Sequence, residues 1–220
     1  VQQCFEDLSS HIFALETGLS SDPDMNRRIS SLDNYTLVSN SDTHSAPRLG
    51  RELNIFTGLP SYYAIRDSLK KGGLGNRILE SSPVFDAWKR LKNDLDLKRD
   101  SFLGTIEFFP EEGKYHWDGH RKCNFRSNPS VAGTGKSMCP VCGNPITVGV
   151  MSRVCELADR IHPIISAKSG YFWRTIPLLD VIAAVLNVGS QSRKVERVYF
   201  EMIAEIGPET SILWDIPIEE

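Results

Sequence analysis

Ile12-Phe13-Ala14-Leu15-Glu16-Thr17-Gly18-Leu19-Ser20-Ser21-Asp22-Pro23 passes within twelve residues from an apolar run to a polar turn. Four consecutive apolar residues suit a strand buried on both faces, and the Gly, Ser, Asp and Pro that follow are turn chemistry. Strand ends that carry polar groups are where α/β folds place their reactions. Asp22 or Asp24 can cap a short helix running to Leu32. Tyr35-Thr36-Leu37-Val38 then reads as a second buried strand, ending in Ser39-Asn40-Ser41-Asp42-Thr43-His44-Ser45. Strand, helix, strand is the unit of an α/β fold.

Outward from this unit, Gln2 to His11 is helix-like, and the chain opens at Val1 with no Met before Met25, which reads as a fragment. Downstream, Ser61 caps an expected helix from Tyr62 to Lys71, and Gly72-Gly73 ends it. Gly75 to Asp100 is a polar insertion with one amphipathic piece, Phe85 to Leu95. Phe102 to Phe109 returns as an apolar strand, and Pro110-Glu111-Glu112-Gly113 marks a boundary. Past it, Val150, Val154, Leu157 and Ala158 share one helical face. Pro177 to Asn187 makes a further helix stopped by Gly189, and Ser192 to Ile206 another stopped by Gly207. Three parts are expected: 1–110, 111–150 and 151–220.

The 220 residues are 40% apolar and 24% charged, an ordinary globular balance. Twenty-five Lys and Arg against 28 Asp and Glu exclude a globally basic nucleic-acid coat, though not a local patch. That patch is Lys114 to Arg153, where Lys114, Arg121, Lys122, Arg126, Lys136 and Arg153 face Asp118 alone. The tail after Met202 carries acidic charges only, a poor place for phosphate contact. The longest apolar run, Ile176 to Leu186, is about half a membrane span and is interrupted by Pro177 and Asp180, so no transmembrane helix is expected. The chain start has no signal-peptide pattern. Five cysteines, three of them clustered, suit a metal better than disulfides and imply a reducing, cytoplasmic setting.

The cluster is His120-x-x-Cys123 followed, after fifteen residues, by Cys139-Pro140-Val141-Cys142-Gly143. Each pair forms a tight turn presenting two donors, and the loop between brings the pairs together around a tetrahedral ion. Imidazole and thiolate suit Zn²⁺, and four protein ligands leave no place for water, so the site would be structural. His116 competes for the fourth position, although its separation from Cys123 fits a turn less well.

Asp42-Thr43-His44 ends the second strand. In extended chain, residues two apart share a face, so this carboxylate and imidazole could reach one metal. Glu16 and Asp22 add carboxylates at the preceding strand end, although Asp22 before Pro23 also organises a turn. Ser130-Val131-Ala132-Gly133-Thr134-Gly135-Lys136-Ser137 ends like a P-loop, but its first position is Ser130, no apolar strand precedes it and a Cys pair follows it. A glycine-rich loop is the better reading. Cys4 and Cys155 read as packed small hydrophobes. Trp117, Tyr171, Phe172 and Trp173, near Arg121, Lys122 and Arg174, are candidates for stacking on an exposed base.

Leu15-Glu16-Thr17-Gly18-Leu19-Ser20-Ser21-Asp22-Pro23, Ser39-Asn40-Ser41-Asp42-Thr43-His44-Ser45 and Leu49-Gly50-Arg51-Glu52 together resemble the polymerase-and-histidinol-phosphatase (PHP) domain of the endonuclease Q family. Gly104-Thr105-Ile106-Glu107-Phe108-Phe109-Pro110-Glu111-Glu112-Gly113-Lys114-Tyr115-His116, Gly119-His120-Arg121-Lys122-Cys123, and Cys139 through Arg160 are similar to it in order and spacing. The match covers most of residues 5 to 60 and 102 to 215. The resemblance implies a metal-dependent DNA repair endonuclease cutting 5′ of deaminated bases such as uracil and hypoxanthine, or at abasic sites. It also implies a fold: the C-terminal part of a PHP-type irregular β/α barrel, a small zinc-ribbon-like module, then an α-helical region. The last PHP metal-ligand motif, Asp-x-His, maps onto Asp42 and His44, which would be catalytic and hold part of a Mg²⁺, Mn²⁺ or Zn²⁺ site. The first, a His-x-His, has no counterpart here. The insertion from Gly75 to Asp100 also departs from the family. Damaged DNA is the implied partner, with Arg121, Lys122, Arg126, Lys136, Trp173 and Arg174 as candidate contacts. Two rival readings are a PHP-type small-molecule phosphatase and a non-catalytic, zinc-dependent nucleic-acid-binding module.

Overall fold

The chain opens on one turn of helix, α1 (Gln2–Phe5), followed by a 3₁₀ segment, Glu6–His11. The single helix expected over Gln2 to His11 is broken at Glu6, whose φ of 45° is left-handed and cannot continue a right-handed helix. The computed structural model describes residues 1–73, 100–132 and 138–216. The expected amphipathic piece Phe85 to Leu95, Lys136 and the end of the P-loop-like stretch lie outside the described residues.

The strand–helix–strand unit forms, although the helix expected to run to Leu32 ends at Asn26 and is followed by a separate 3₁₀ turn, Ser30–Leu32. Strands β1 (Ala14–Glu16) and β2 (Thr36–Val38) pair in parallel, Ala14 opposite Thr36 and Glu16 opposite Val38. Between them, α2 (Pro23–Asn26) is capped by Asp22, whose carboxylate accepts the Met25 N–H at 2.9 Å, with Pro23 at the first helical position, where no N–H is needed. Leu37, Met25 and Ile29 are buried beneath this unit.

A second sheet lies beside it. Strand β3 (Leu53–Thr57) runs antiparallel to β4 (Ser101–Glu107), and β7 (Tyr171–Arg174) runs parallel to β4 on its other side. The sequence pattern marks β4 but neither flanking strand. β3 is half-buried and shifts register between Ile55 and Phe56, and β7 exists because β4 offers it an edge. Gly104 is required at that edge, because a Cβ there would collide with the Tyr171 backbone. Phe102, Leu103 and Ile106 form the centre of the sheet. Helix α3 (Tyr62–Lys71) has the expected cap, the Ser61 hydroxyl accepting the Ala64 N–H at 3.1 Å, and Gly72 at φ 89° ends it.

A hairpin, β5 (Asp118–His120) with β6 (Phe125–Ser127), carries the metal-ligand segment. Helices α4 (Pro129–Ala132) and α5 (Val150–Leu157) follow it. The buried Asp118 carboxylate accepts the Gly149 N–H at 2.6 Å and the Ser152 hydroxyl at 2.8 Å, pinning the start of α5 to the hairpin. The C-terminal helices are α6 (Leu178–Leu186), α7 (Arg193–Glu205, capped by Ser192) and α8 (Glu209–Trp214). Leu178, Ile182, Ala183 and Val195 are the core of this part, and each large side chain so buried contributes roughly 1.5–3 kcal/mol. Among the described residues, no helix is long and apolar enough to cross a membrane.

Candidate metal centre and nucleic-acid interface

His120 and Cys123 flank a 3₁₀ turn at the tip of the β5–β6 hairpin, and Asn124 takes a left-handed conformation to reverse the chain there. Cys139 and Cys142 sit on a second turn, closed by the Gly143 N–H on the Cys139 carbonyl at 2.8 Å and the Cys139 N–H on the Asn144 carbonyl at 2.7 Å. Gly143, at φ 70°, supplies the conformation that a side chain would resist. One ligand atom from each of the four residues lies within 4.8 Å of the others. Cys139 is buried and Cys142 exposed, so the cluster has one closed and one open side.

The thiols are unequal. The Asn144 main-chain N–H holds the Cys142 thiol below its ordinary value, and the hydrogen bond with Cys142 pushes Cys123 up to about 11. A divalent cation removes that conflict by deprotonating every coordinating thiol. Three thiolates and one imidazole, with ligand atoms all within 4.8 Å of one another, fit zinc. His116 stands apart from this group: it is buried, its Nδ1 bonds the Ser20 carbonyl at 2.9 Å, and its ring meets Trp117 edge-on. Its role is to tie the segment before the hairpin to the turn after β1.

Beside the cluster is a cleft of about 550 Å³. Lys114, Arg121 and Arg126 contribute positive charge to its lining against the one carboxylate of Glu112, and Tyr115, Trp117 and Phe125 contribute rings. Lys122 is exposed on the same turn as Arg121. Because Asp118 is consumed in capping α5, the positive charges of this segment face solvent without local compensation from it.

The other expected contacts are placed differently. Trp173 is 8% exposed and packs with Ile106 in the β3–β4–β7 sheet, so its ring serves the core where base stacking was expected. Arg174 points its guanidinium at the Asp22 carboxylate, with Asp24 at 3.6 Å, and lies 5.3 Å over the Phe172 ring. A guanidinium so engaged is a structural counter-ion first.

At the ends of β1 and β2, the expected carboxylates and imidazole do not close on one point. Among the described residues, the group of three or more His, Cys, Asp or Glu donors that converges is the Cys/His cluster. Glu16 is exposed, and Asp22 is taken by its cap and by Arg174. Asp42 and His44 are both exposed four or more residues beyond β2, and Asp42 has φ 44°. The extended-chain alternation assumed for them therefore does not hold. A different geometry serves instead: His44 Nδ1 lies 3.0 Å from the Asp42 carbonyl oxygen. A carbonyl only accepts, so in neutral His44 the proton sits on Nδ1 and the lone pair on Nε2, the posture of a metal-ligating imidazole. These two side chains fit two positions around a hard or borderline ion.

Sequence reasoning passed over the polar groups beneath that arm. Glu107, fully buried at the end of β4, accepts hydroxyls from Thr105, Thr17 at 3.1 Å and Ser39 at 3.0 Å, and so joins the two sheets where β1 and β2 end. Burial raises its pKa against these hydrogen bonds. Glu52, 3% exposed, is pushed up to about 7 by burial and then by the Glu107 charge, and its Oε2 lacks a hydrogen-bond partner among the described residues. The visible signal was an acid within the apolar run Thr105-Ile106-Glu107-Phe108-Phe109.

A family model described as the MJ0043 C-terminal domain matches residues 177–220. The uncharacterized protein MJ0043 of Methanocaldococcus jannaschii is 30% identical over 210 residues, 94% of this chain and 24% of that protein. YqxK of Bacillus subtilis is 29% identical over 154 residues, 70% of this chain and 32% of that protein. The crystal structure of the lesion-specific endonuclease PfuEndoQ from Pyrococcus furiosus superposes with TM-score 0.72 at 30% identity, covering 94% of this chain and 46% of that one. Endonuclease Q in complex with a 27-mer duplex substrate, an abasic lesion at its active site, gives TM-score 0.71 at 29% identity over 94% of this chain and 47% of that one. The chain thus spans about half the length of the solved endonucleases and a quarter to a third of the curated relatives.

Fold and site define a mixed α/β protein with a Cys₃His turn pair that could hold a metal ion, beside a cleft lined by cations and rings. In fold as in motif order, the chain resembles endonuclease Q over 94% of its length.

Proposed function

We propose that this chain is part of a metal-dependent endonuclease of base-damage repair that nicks 5′ of uracil, hypoxanthine or an abasic site. The observation that carries the reading is the cleft beside the Cys₃His cluster, which gathers three cations and three rings against one carboxylate, Glu112, in a chain whose net charge is −3. A small phosphate monoester has no use for such a surface, whereas a DNA strand uses both its charges and its rings. Residues 1–110 correspond to the C-terminal part of a PHP-type barrel, 111–150 to a zinc-ribbon-like module and 151–220 to a helical region.

Asp42 and His44 supply two ligands of the catalytic site, and the others come from outside the residues described. Asp42 and His44 would hold part of a Mg²⁺, Mn²⁺ or Zn²⁺ site, and such an ion would supply Lewis-acid polarisation of a phosphate and activation of a water. Arg121, Lys122 and Arg126 hold the backbone, and lesion choice follows from the lower cost of extruding a base that is already badly paired.

The test is nicking of duplexes containing uracil, hypoxanthine or an abasic site by the longer protein that carries this chain, with Mg²⁺ or Mn²⁺. Cleavage is expected 5′ of the lesion and is expected to be lost in Asp42→Ala and His44→Ala. Hydrolysis of small phosphate monoesters without DNA cleavage would overturn it in favour of a phosphatase. DNA binding without cleavage would leave a binding module.

A further inference from the structure

We infer that Arg51, Asn54 and Glu107 form a positioning set for the Asp42-Thr43-His44 arm, fixing the backbone that aims both side chains. The inference rests on the reading of Asp42 and His44 as metal ligands given above.

Each of the residues leading into the arm is gripped. Asn54, on β3, imitates a neighbouring strand: its amide oxygen accepts the Ser39 N–H at 3.0 Å and its NH₂ donates to the Ser39 carbonyl at 2.7 Å. The same NH₂ reaches the Asn40 side chain at 3.1 Å. The Ser39 hydroxyl donates to Glu107 on β4 at 3.0 Å. Two residues further, Arg51 puts Nε and Nη2 on the Ser41 carbonyl at 3.1 and 2.8 Å, while its guanidinium lies 5.9 Å over the Phe108 ring. The grip ends one residue before Asp42, which holds a left-handed φ that costs a non-glycine residue about 1 kcal/mol or more. Such a conformation persists only where its surroundings over-determine it. In turn it brings the Asp42 carbonyl to His44 Nδ1, leaving the Nε2 lone pair for a ligand.

The Asn54 and Arg51 bonds are made to the chain leading into the arm, whereas the buried Ser39–Glu107 bond also joins the two sheets. Asn54 and Arg51 are polar and only half-buried, and what they hold is main chain that continues into an exposed loop. Outer partners of this kind are worth 10–100-fold in metal affinity. Charge provides a sign that separates positioning from electrostatics. Arg51 is close enough to Asp42 for the two charges to interact, so removing it strengthens cation binding if charge is all that matters. If positioning dominates, binding weakens.

The test uses the zinc-loaded longer protein that carries this chain, with Mn²⁺ affinity read by electron paramagnetic resonance, the His44 tautomer by ¹⁵N NMR and stability by urea denaturation. Wild type is expected to show the Nδ1–H tautomer. Asn54→Ala and Arg51→Ala are expected to weaken Mn²⁺ binding about tenfold and to mix the tautomers; Arg51→Lys, which keeps charge but loses the two-pronged bond, is expected to resemble Arg51→Ala. Unchanged affinity in Asn54→Ala, or tighter binding in Arg51→Ala, would overturn the inference. So would an Nε2–H tautomer in wild type, a reading that needs no variant to fold. Asp42→Ala binding Mn²⁺ as well as wild type would instead remove the underlying ligand assignment.

Discussion

The Asp22 carboxylate serves the two ends of the chain at once: Oδ1 caps α2 through the Met25 N–H, and Oδ2 receives Arg174 from β7, 152 residues on. Asp22 is 2% exposed, whereas about a third of the Arg174 side chain meets solvent. Removing the arginine strands a buried charge, and the solvent at Arg174 moderates the loss. Arg174→Ala is therefore expected to lower stability by about 2 kcal/mol in urea denaturation, with Arg174→Lys recovering part. A larger effect on the salt dependence of DNA binding than on stability would contradict this.

Stability is expected to fall as pH rises from about 5 to about 7. Glu52 ionises near 7 in the folded protein and near its ordinary 4.5 when unfolded, so between those values the folded state holds the extra proton. The sign is the reverse of a salt-bridged carboxylate. Glu52→Gln is expected to flatten the slope, leaving the share that comes from the buried Glu107, and to stabilise the protein at pH 8 by about 1–2 kcal/mol, with little change at pH 4. Denaturation midpoints across this range for both proteins measure it, and a stability that rises from pH 5 to pH 7 in wild type refutes it.

One zinc per chain is expected at His120, Cys123, Cys139 and Cys142. Cys139→Ser removes the buried ligand and is expected to abolish stoichiometric zinc in elemental analysis. With little apolar core in this segment beyond Cys139 and Ile146, loss of the ion is expected to unfold it. Strong chelators should do the same to wild type, visible as loss of amide protection in β5 and β6.

Joint replacement of Arg121, Lys122 and Arg126 by Ala is expected to weaken binding to damaged and undamaged duplex by similar factors, because phosphate contacts carry little sequence information. The slope of log affinity against log salt should fall by about 0.9 for each phosphate that is no longer neutralised. Zinc content should stay constant, since none of the three is a ligand. An unchanged slope in a zinc-replete variant would place the DNA surface elsewhere.

Local chemistry was legible in the sequence. The Asp22 and Ser61 caps, the order strand, helix, strand, and helices α5, α6 and α7 stand where turn residues and periodicity put them, whereas the parallel pairing of β1 with β2, the end of α2 at Asn26 and α8 were not read. The Cys₃His cluster closes as its spacing demands. Each of these depends on residues close in sequence, or on one short loop with a strong ligand preference.

Tertiary structure decided the rest. β3 and β7 are short and partly exposed, and only β4, with glycine at its crowded point, gives them partners. Trp173 and Arg174 look like surface recognition residues until β7 docks and turns one into the core and the other toward Asp22. Asp42 and His44 were legible as a pair, but not the left-handed turn that aims them, nor the grip of Arg51, Asn54 and Glu107 on the arm before them. A hydrogen bond between residues dozens of positions apart leaves no periodic trace in a sequence, because its geometry exists only after the sheets have packed.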